Sequence, residues 1–309
     1  MSFRVTQGTL ARGVLQGLQT NLTSLQRTQA QLSSGKRLNR PSDSPVDTVS
    51  AMQLRSAQQQ TTQYTRNIDN GLAWLNTADS ALTQANSSVQ RVRQLVVQGA
   101  NAANGPDERG AMADEVDQLR QTLIQLGNTQ YGNTPVFAGT AKGSVAFDPA
   151  TGVFVGNTAA VNRQVSSDPQ SGTLAVNVPG PQAFTDLLSG GVNGSTTPPT
   201  VAPGLLERIS TALRSGDTTG LNTALGQLDT AAQAMSSAQS AVGARVNRLN
   251  SVQTLANSHL DTITTGLSNA EDIDLPGTII QLQIQQNAYQ AALGATAKII
   301  QPSLMDFLR

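Results

Sequence analysis

The sequence predicts a mainly α-helical chain carrying a small β-rich insert, and three observations support this. Both flanks place apolar residues at alternating spacings of three and four, the period of a helix that packs along one seam. Of the 32 Gln in 309 residues, only Gln164, Gln170 and Gln182 fall between positions 131 and 226, so the composition changes twice along the chain. The middle is instead rich in Gly, Thr, Val, Pro and Ser and holds Phe137, Phe147, Phe154 and Phe184, four of the six Phe, a composition that suits strands and turns. Straight-chain residues in the flanks lose little rotamer freedom in a helix, which is why Gln, Leu, Arg and Ala there favour it.

Taken in order, Leu15, Leu18, Leu22, Leu25, Gln29 and Leu32 form a first heptad seam that stops at Ser33-Ser-Gly-Lys. A second helix is expected to start after Pro45 and to end near Gly99. Its seam is Ile68, Leu72, Leu75, Leu82, Val89 and Val96, with Asp79, Asn86 and Arg93 interrupting it as candidate register-setting residues. Asn104-Gly-Pro-Asp is a turn, and Pro106 then occupies a first-turn position, where its missing N–H costs nothing. Met112, Val116, Leu119, Leu123 and Leu126 follow at helical spacing. In the middle, residues 144 to 155 read as strand, turn, strand, with Asp148-Pro149 and Gly152 supplying the turn. Residues 190 to 204, with three Gly, two adjacent Pro and a terminal Pro-Gly, read as a linker. The run from Leu221 to Leu267 places 12 apolar residues in 14 successive seam positions and predicts one long helix. It breaks near Glu271-Asp-Ile-Asp-Leu-Pro-Gly, and a last helix carries Ile279, Leu282, Tyr289, Leu293, Ile300 and Phe307 on one stripe. The two terminal helices have no globular neighbour in sequence, so they are expected to pack on each other.

Composition excludes several function classes. Twenty Lys and Arg balance twenty Asp and Glu, and only 13% of residues are charged, which gives no bulk electrostatic case for nucleic acid or an anionic membrane. No stretch approaches the roughly 20 apolar residues of a membrane span. Cys is absent and His259 is the single His, removing disulfides, thiolate sites, cysteine nucleophiles and most His-based triads or metal clusters. His259 reads as a solvated or interface residue, and Asp114, Glu115 and Asp117 as a solvated helix face. Glu271, Asp272 and Asp274 could ligate a cation, but read better as capping carboxylates before a helix. No phosphate-cradling glycine loop is present. No enzyme, cofactor or metal is therefore expected. The N-terminus lacks the basic region and apolar run of a cleaved secretory signal.

One segment does not behave as ordinary punctuation. Leu32-Ser-Ser-Gly-Lys-Arg-Leu-Asn-Arg-Pro-Ser-Asp-Ser-Pro45 is basic and Gly/Pro-rich between two seam helices. It is either a hinge, with Gly35 ending one helix and Ser44 capping the next, or a polar spoke presenting Lys36, Arg37, Arg40 and Asp43 to neighbouring chains. In the second reading the facing segment is Val242-Gly-Ala-Arg-Val-Asn-Arg-Leu-Asn250, whose Gly243 and Ala244 admit close approach while Arg245 and Arg248 offer planar donors.

These segments resemble the signatures of the flagellin superfamily. Leu32 to Pro45 resembles its N-terminal signature, and Val242 to Leu249 its C-terminal counterpart. A third match runs from Gln283-Ile-Gln-Gln-Asn-Ala-Tyr-Gln-Ala-Ala-Leu through Ile300 to Ser303-Leu-Met-Asp-Phe-Leu-Arg309. Pro41-Ser-Asp-Ser-Pro45 and Tyr131-Gly-Asn-Thr-Pro-Val-Phe-Ala-Gly-Thr140 resemble hook–filament junction members more than filament subunits. Ser44, where the family usually has a second Asp, and the inserted Thr134-Pro135 depart from its pattern. The likeness spans 1 to 140 and 205 to 309.

The resemblance implies a flagellin-like architecture: residues 1–40 and 272–309 as an inner terminal coiled coil, 41–136 and 204–271 as a helical rod, and 137–203 as a β-rich outer domain. It implies a structural subunit of the bacterial flagellum at the hook–filament junction, or alternatively a filament subunit. The implied partners are flagellin, a hook-side junction protein, copies of itself in a ring and an export chaperone, with neither nucleic acid nor membrane. The chain would be exported unfolded through the flagellar type III channel and function outside the cell. The subunit interface would then include Leu18, Leu22, Leu25, Leu32, Gly35, Lys36, Arg37, Asn39, Arg40, Pro41, Asp43, Arg245, Asn247, Arg248, Tyr289, Leu293, Ile300, Leu304 and Phe307.

Overall fold

A computed structural model describes residues 7–101, 104–168, 172–184, 187–193 and 200–300. It is mainly helical with small antiparallel strand pairs, as the sequence predicts. Helix α1 spans Gln7–Ser34, α2 Pro45–Gly99 and α3 Pro106–Gly127. Strands β1 (Gln130–Tyr131), β2 (Thr134–Pro135), β3 (Asn162–Gln164) and β4 (Thr173–Ala175) follow, then a short α4 (Gly180–Phe184) and strands β5 (Ser189–Asn193) and β6 (Thr200–Pro203). Helices α5 (Leu205–Ser215), α6 (Thr218–Glu271) and α7 (Leu275–Ile300) complete the chain. Among the described residues the strands pair as neighbours, β1 with β2, β3 with β4 and β5 with β6. Phe147 and Phe154 form one further antiparallel bridge, the centre of the hairpin expected at 144 to 155.

One expectation is corrected and one helix is added. The linker at 190 to 204 is in its described parts a strand pair, with Val192 opposite Val201 and Asn193 opposite Thr200 in antiparallel register, so that their backbone groups have ladder partners. The long C-terminal helix is preceded by a separate one, α5, which stops where Gly216 takes φ 73°, a left-handed cap that only glycine adopts without strain.

The chain forms two compact units, one from residues 1–60 and 259–309 and the other from 61–258. In the first, α1 packs against α7, the pairing expected of the terminal helices. The second holds the continuous buried core, from Ile68 to Ala256. There α2 and α6 run antiparallel. Gln253 donates to Asp69 (2.7 Å), Gln239 to Thr83 (2.9 Å) and Arg93 to Asp229 (2.8 Å), so equal steps up α2 match equal steps down α6.

The buried stripe of α2 is Ile68, Gly71, Leu75, Ala78, Leu82, Ala85, Val89, Val92 and Val96, an unbroken alternation of three and four. Asp79, Asn86 and Arg93 stand one position outside it, so they do not interrupt the seam. Small residues let the helices approach: a Cβ on Gly71 would lie 3.0 Å from a methyl of Val176 and 3.2 Å from one of Leu249. Arg214 pairs with Asp114 and Asp117, and Arg91 with Glu115, so the acidic face of α3 meets fixed cations.

The insert packs around Phe137, Phe147, Phe154 and Phe184, whose rings meet edge-on or tilted at 5.3 to 5.4 Å. It also docks onto its own unit through polar bonds. Arg163 reaches Asn70 (3.1 Å) and lies over Trp74, and Asn67 donates to the Gln164 carbonyl (2.8 Å).

Candidate functional site

In the first unit, the segment joining α1 to α2 meets the break between α6 and α7. Gly35 closes α1 at φ 69°. The chain then lies alongside the end of α6: Lys36 bridges Asp272, the Arg37 amide donates to the Glu271 carbonyl (2.5 Å), and the Ile273 amide donates to the Gly35 carbonyl (3.2 Å). Lys36 Nζ and Arg55 both donate to Glu271 Oε2 at 2.8 Å, and the Glu271 side chain is only 2% exposed. Burial alone would push its pKa up; the hydrogen bonds from Lys36 and Arg55 outweigh it and hold the carboxyl below its ordinary value. Its other oxygen, Oε1, is buried without a partner.

Arg37 is spent within the chain. It donates to Asp47 (2.7 Å) and to the Ala270 carbonyl (2.8 Å). Asp43 accepts the amides of Asn39 (3.1 Å) and Arg40 (2.9 Å) and pairs with Arg27 (2.9 Å), so it folds the Pro41 turn back on itself. The Arg40 amide bond chiefly lowers the Asp43 pKa, and the Arg37 bond lowers that of Asp47. Ser44 accepts the Asp47 amide, capping α2, and Pro45 is its first residue. The hinge reading and the spoke residues thus coincide in one rigid corner.

The facing segment is occupied differently. Arg245 is half-buried in the second unit, where it donates to the Asn177 carbonyl, with desolvation lowering its pKa. Asn177, itself buried, staples the insert through the Val161 amide (2.7 Å) and the Ala159 carbonyl (3.0 Å). Asn247 and Arg248 are exposed.

Between residues 12 and 34 of α1, the half-buried or buried positions are Val14, Leu18, Asn21, Ser24, Leu25, Thr28, Gln31 and Leu32, while Leu15 and Leu22 are exposed. On α7, Tyr289 is half-buried and Leu293 exposed. Ile300 ends α7, and Leu304 and Phe307 lie outside the described residues. Sequence reasoning did not connect Arg27, Asp47 and Arg55 to this corner. A lone cation inside a helix carries no signal of the carboxylate it meets more than 200 residues away, and Glu271 was read as a cap although it ends α6 as a buried ion-pair acceptor. Among the described residues, no group of three acidic or His side chains is placed to hold a metal ion, and no helix is long and apolar enough to cross a membrane.

Residues 7–142 match the bacterial flagellin N-terminal helical region. The chain is 26% identical over 298 residues to the flagellar hook-associated protein 3 of Escherichia coli, covering 90% of this chain and 93% of that one. It is 29% identical to a flagellin of Clostridium tyrobutyricum over 130 residues, 42% of this chain and 34% of the relative. The fold is similar to that of a flagellar hook-associated protein from Vibrio parahaemolyticus, with a TM-score of 0.62, 19% identity, and coverage of 74% of this chain and 100% of that one.

Proposed function

We propose that this chain, similar along nine tenths of its length to a flagellar hook-associated protein, is a structural subunit of the bacterial flagellum. It forms the junction between hook-side subunits and the flagellin filament. The observation that carries the choice is the extent of the likeness. It covers 93% of the hook-associated relative, whereas the likeness to flagellins covers 34% of the Clostridium chain and 48% of one from Salmonella.

The mechanism is folding coupled to assembly. Among the described residues of the first unit α1 packs mainly against α7, and the pair leaves Leu15, Leu22, Ile280, Ile284 and Leu293 in water. Ordering a residue costs about 1 to 2 kcal/mol of backbone entropy, which so thin a layer offsets poorly without neighbouring subunits. The terminal helices 1–40 and 272–309 then act as the inner layer, 41–136 and 204–271 as the rod, and 137–203 as the outward domain. The Gly35–Asp43 corner, Asn247, Arg248 and the terminal apolar residues, Leu304 and Phe307 included, face neighbours. Arg245 spends its guanidinium within its own subunit. Export in an unfolded state through the flagellar channel, with a dedicated chaperone, suits a chain without cysteine.

Electron microscopy of the purified chain after salting-out, with and without hook ends and flagellin, tests this. The expected result is monomers or short stubs alone, and flagellin growth from hook ends only once this chain is mounted. Long filaments from the chain alone would overturn the junction role in favour of a filament subunit.

A further inference from the structure

Glu271 leaves one need unmet. Oε2 serves two cations, but Oε1 is buried with no donor. A cleft of about 160 Å³ opens beside it, lined by Leu38, Arg40, Pro41, Met52 and Arg55. A third cation would be a poor occupant, because Lys36 and Arg55 already outnumber the carboxylate and Arg40 adds positive charge at the mouth. The cleft calls for a neutral N–H donor that also offers an acceptor to Arg40, whose guanidinium makes no hydrogen bond among the described residues. A carboxamide supplies both from one planar group. Around the cleft, Val46, Val49 and Met52 step along the first turns of α2 and are 76%, 56% and 63% exposed.

The same unit carries a surface of matching chemistry. Helix α7 turns Thr278, Leu282, Gln285 and Tyr289 inward. Its opposite side presents Ile280, Ile284, Asn287 and Ala291, all exposed. A helical period places Asn287 on that face one turn beyond Ile284, a carboxamide at the end of an apolar pair. Both surfaces are exposed in the same subunit, so neither covers the other.

We propose that the first turns of α2 and the cleft beside Glu271 receive the outer face of α7 from a second copy of this chain, with the Asn287 carboxamide seated between Glu271 and Arg40. The inference rests on the assembly reading above for the presence of neighbouring copies. The two patches differ, so the contact is heterologous: it propagates head to tail into a ring or open helix instead of closing as a dimer.

The absence of cysteine makes the test direct. Met52→Cys and Ile284→Cys, both at exposed positions, are made in the full chain and oxidised under salting-out conditions, which strengthen apolar burial. The mixture of the two variants is expected to give a disulfide-linked dimer, each variant alone none, and the double variant a ladder of higher species. No dimer from the mixture, or as much from either variant alone, overturns the proposal. In the Ile284→Cys background, Asn287→Leu should lower the dimer yield about tenfold by leaving the Glu271 oxygen unpaired; an unchanged yield overturns the carboxamide contact. Failed cross-linking with intact mounting of flagellin on hook ends sinks this inference alone. Cross-linking without such mounting sinks the junction role and leaves the contact standing.

Discussion

Glu271 shows how a carboxylate can be worth more through what it neutralises than through its own bonds. Its side chain is buried, while Lys36 and Arg55 keep about half their surface in water. Removing the acid therefore strands two solvated cations, whereas removing both cations strands a buried charge. Glu271→Gln should cost about 1 to 2 kcal/mol and the Lys36→Met/Arg55→Met pair about 3 to 5, read from amide exchange at residues 35–48 and 268–273. An equal cost would contradict this account. The pH dependence has a definite sign. The folded pKa values of Glu271, Asp43 and Asp47 all lie below their ordinary ones. Their contribution is present above the unfolded values, about 4, and is lost as pH falls through the depressed folded values. Protection of this corner is therefore expected to fall below about pH 4, and to fall less steeply in Glu271→Gln; protection constant down to pH 2 would refute the linkage.

Among the elements, heptad spacing located every long helix but misplaced half of the seam in α1 and α2. In α1 the sequence selects Leu15, Leu22 and Gln29, whereas the packed positions are Val14, Asn21 and Thr28. In α2 it selects Leu72, Asp79, Asn86 and Arg93, whereas Gly71, Ala78, Ala85 and Val92 are buried. The packed stripe of a globular helix is wider than a coiled-coil seam, so two adjacent positions compete for every second layer. Larger or more polar side chains lose that competition when the partner helix lies close, as Gly71 against Leu249 requires. Two substitutions separate these positions. Asn86→Ala removes a buried oxygen without a partner and should stabilise by about 1 kcal/mol. Gly71→Val forces Val176 and Leu249 aside and should destabilise by about 1 to 3 kcal/mol in denaturant melts followed by Trp74, the single tryptophan. Stabilisation by the valine would mean that the close approach is absent in solution.

For the whole molecule, the uneven distribution of core is decisive. The continuous buried cluster lies between Ile68 and Ala256, inside the second unit. The first unit has the α1–α7 pair and the Glu271 corner. In the free monomer, amides of the second unit should exchange slowly through global opening, while those of α1 and α7 exchange fast and become protected only on assembly. Full protection of residues 12–34 in the monomer would end the coupled-folding account.

Composition and period were enough for the fold class, the paired terminal helices and the β-rich middle, because burial imposes a repeat that any single helix must display. The hairpin at 144 to 155 was legible for a similar local reason, since Asp148 supplies its turn and accepts the Ala150 and Thr151 amides. The strand pair read as a linker was not, because its Gly and Pro carry no periodic signal. Nor could spacing reveal that Arg245 anchors the insert through Asn177, or that Glu271 gathers Lys36 and Arg55. Ion-pair partners more than 200 residues apart leave no local trace, and only the folded chain brings them within a hydrogen bond.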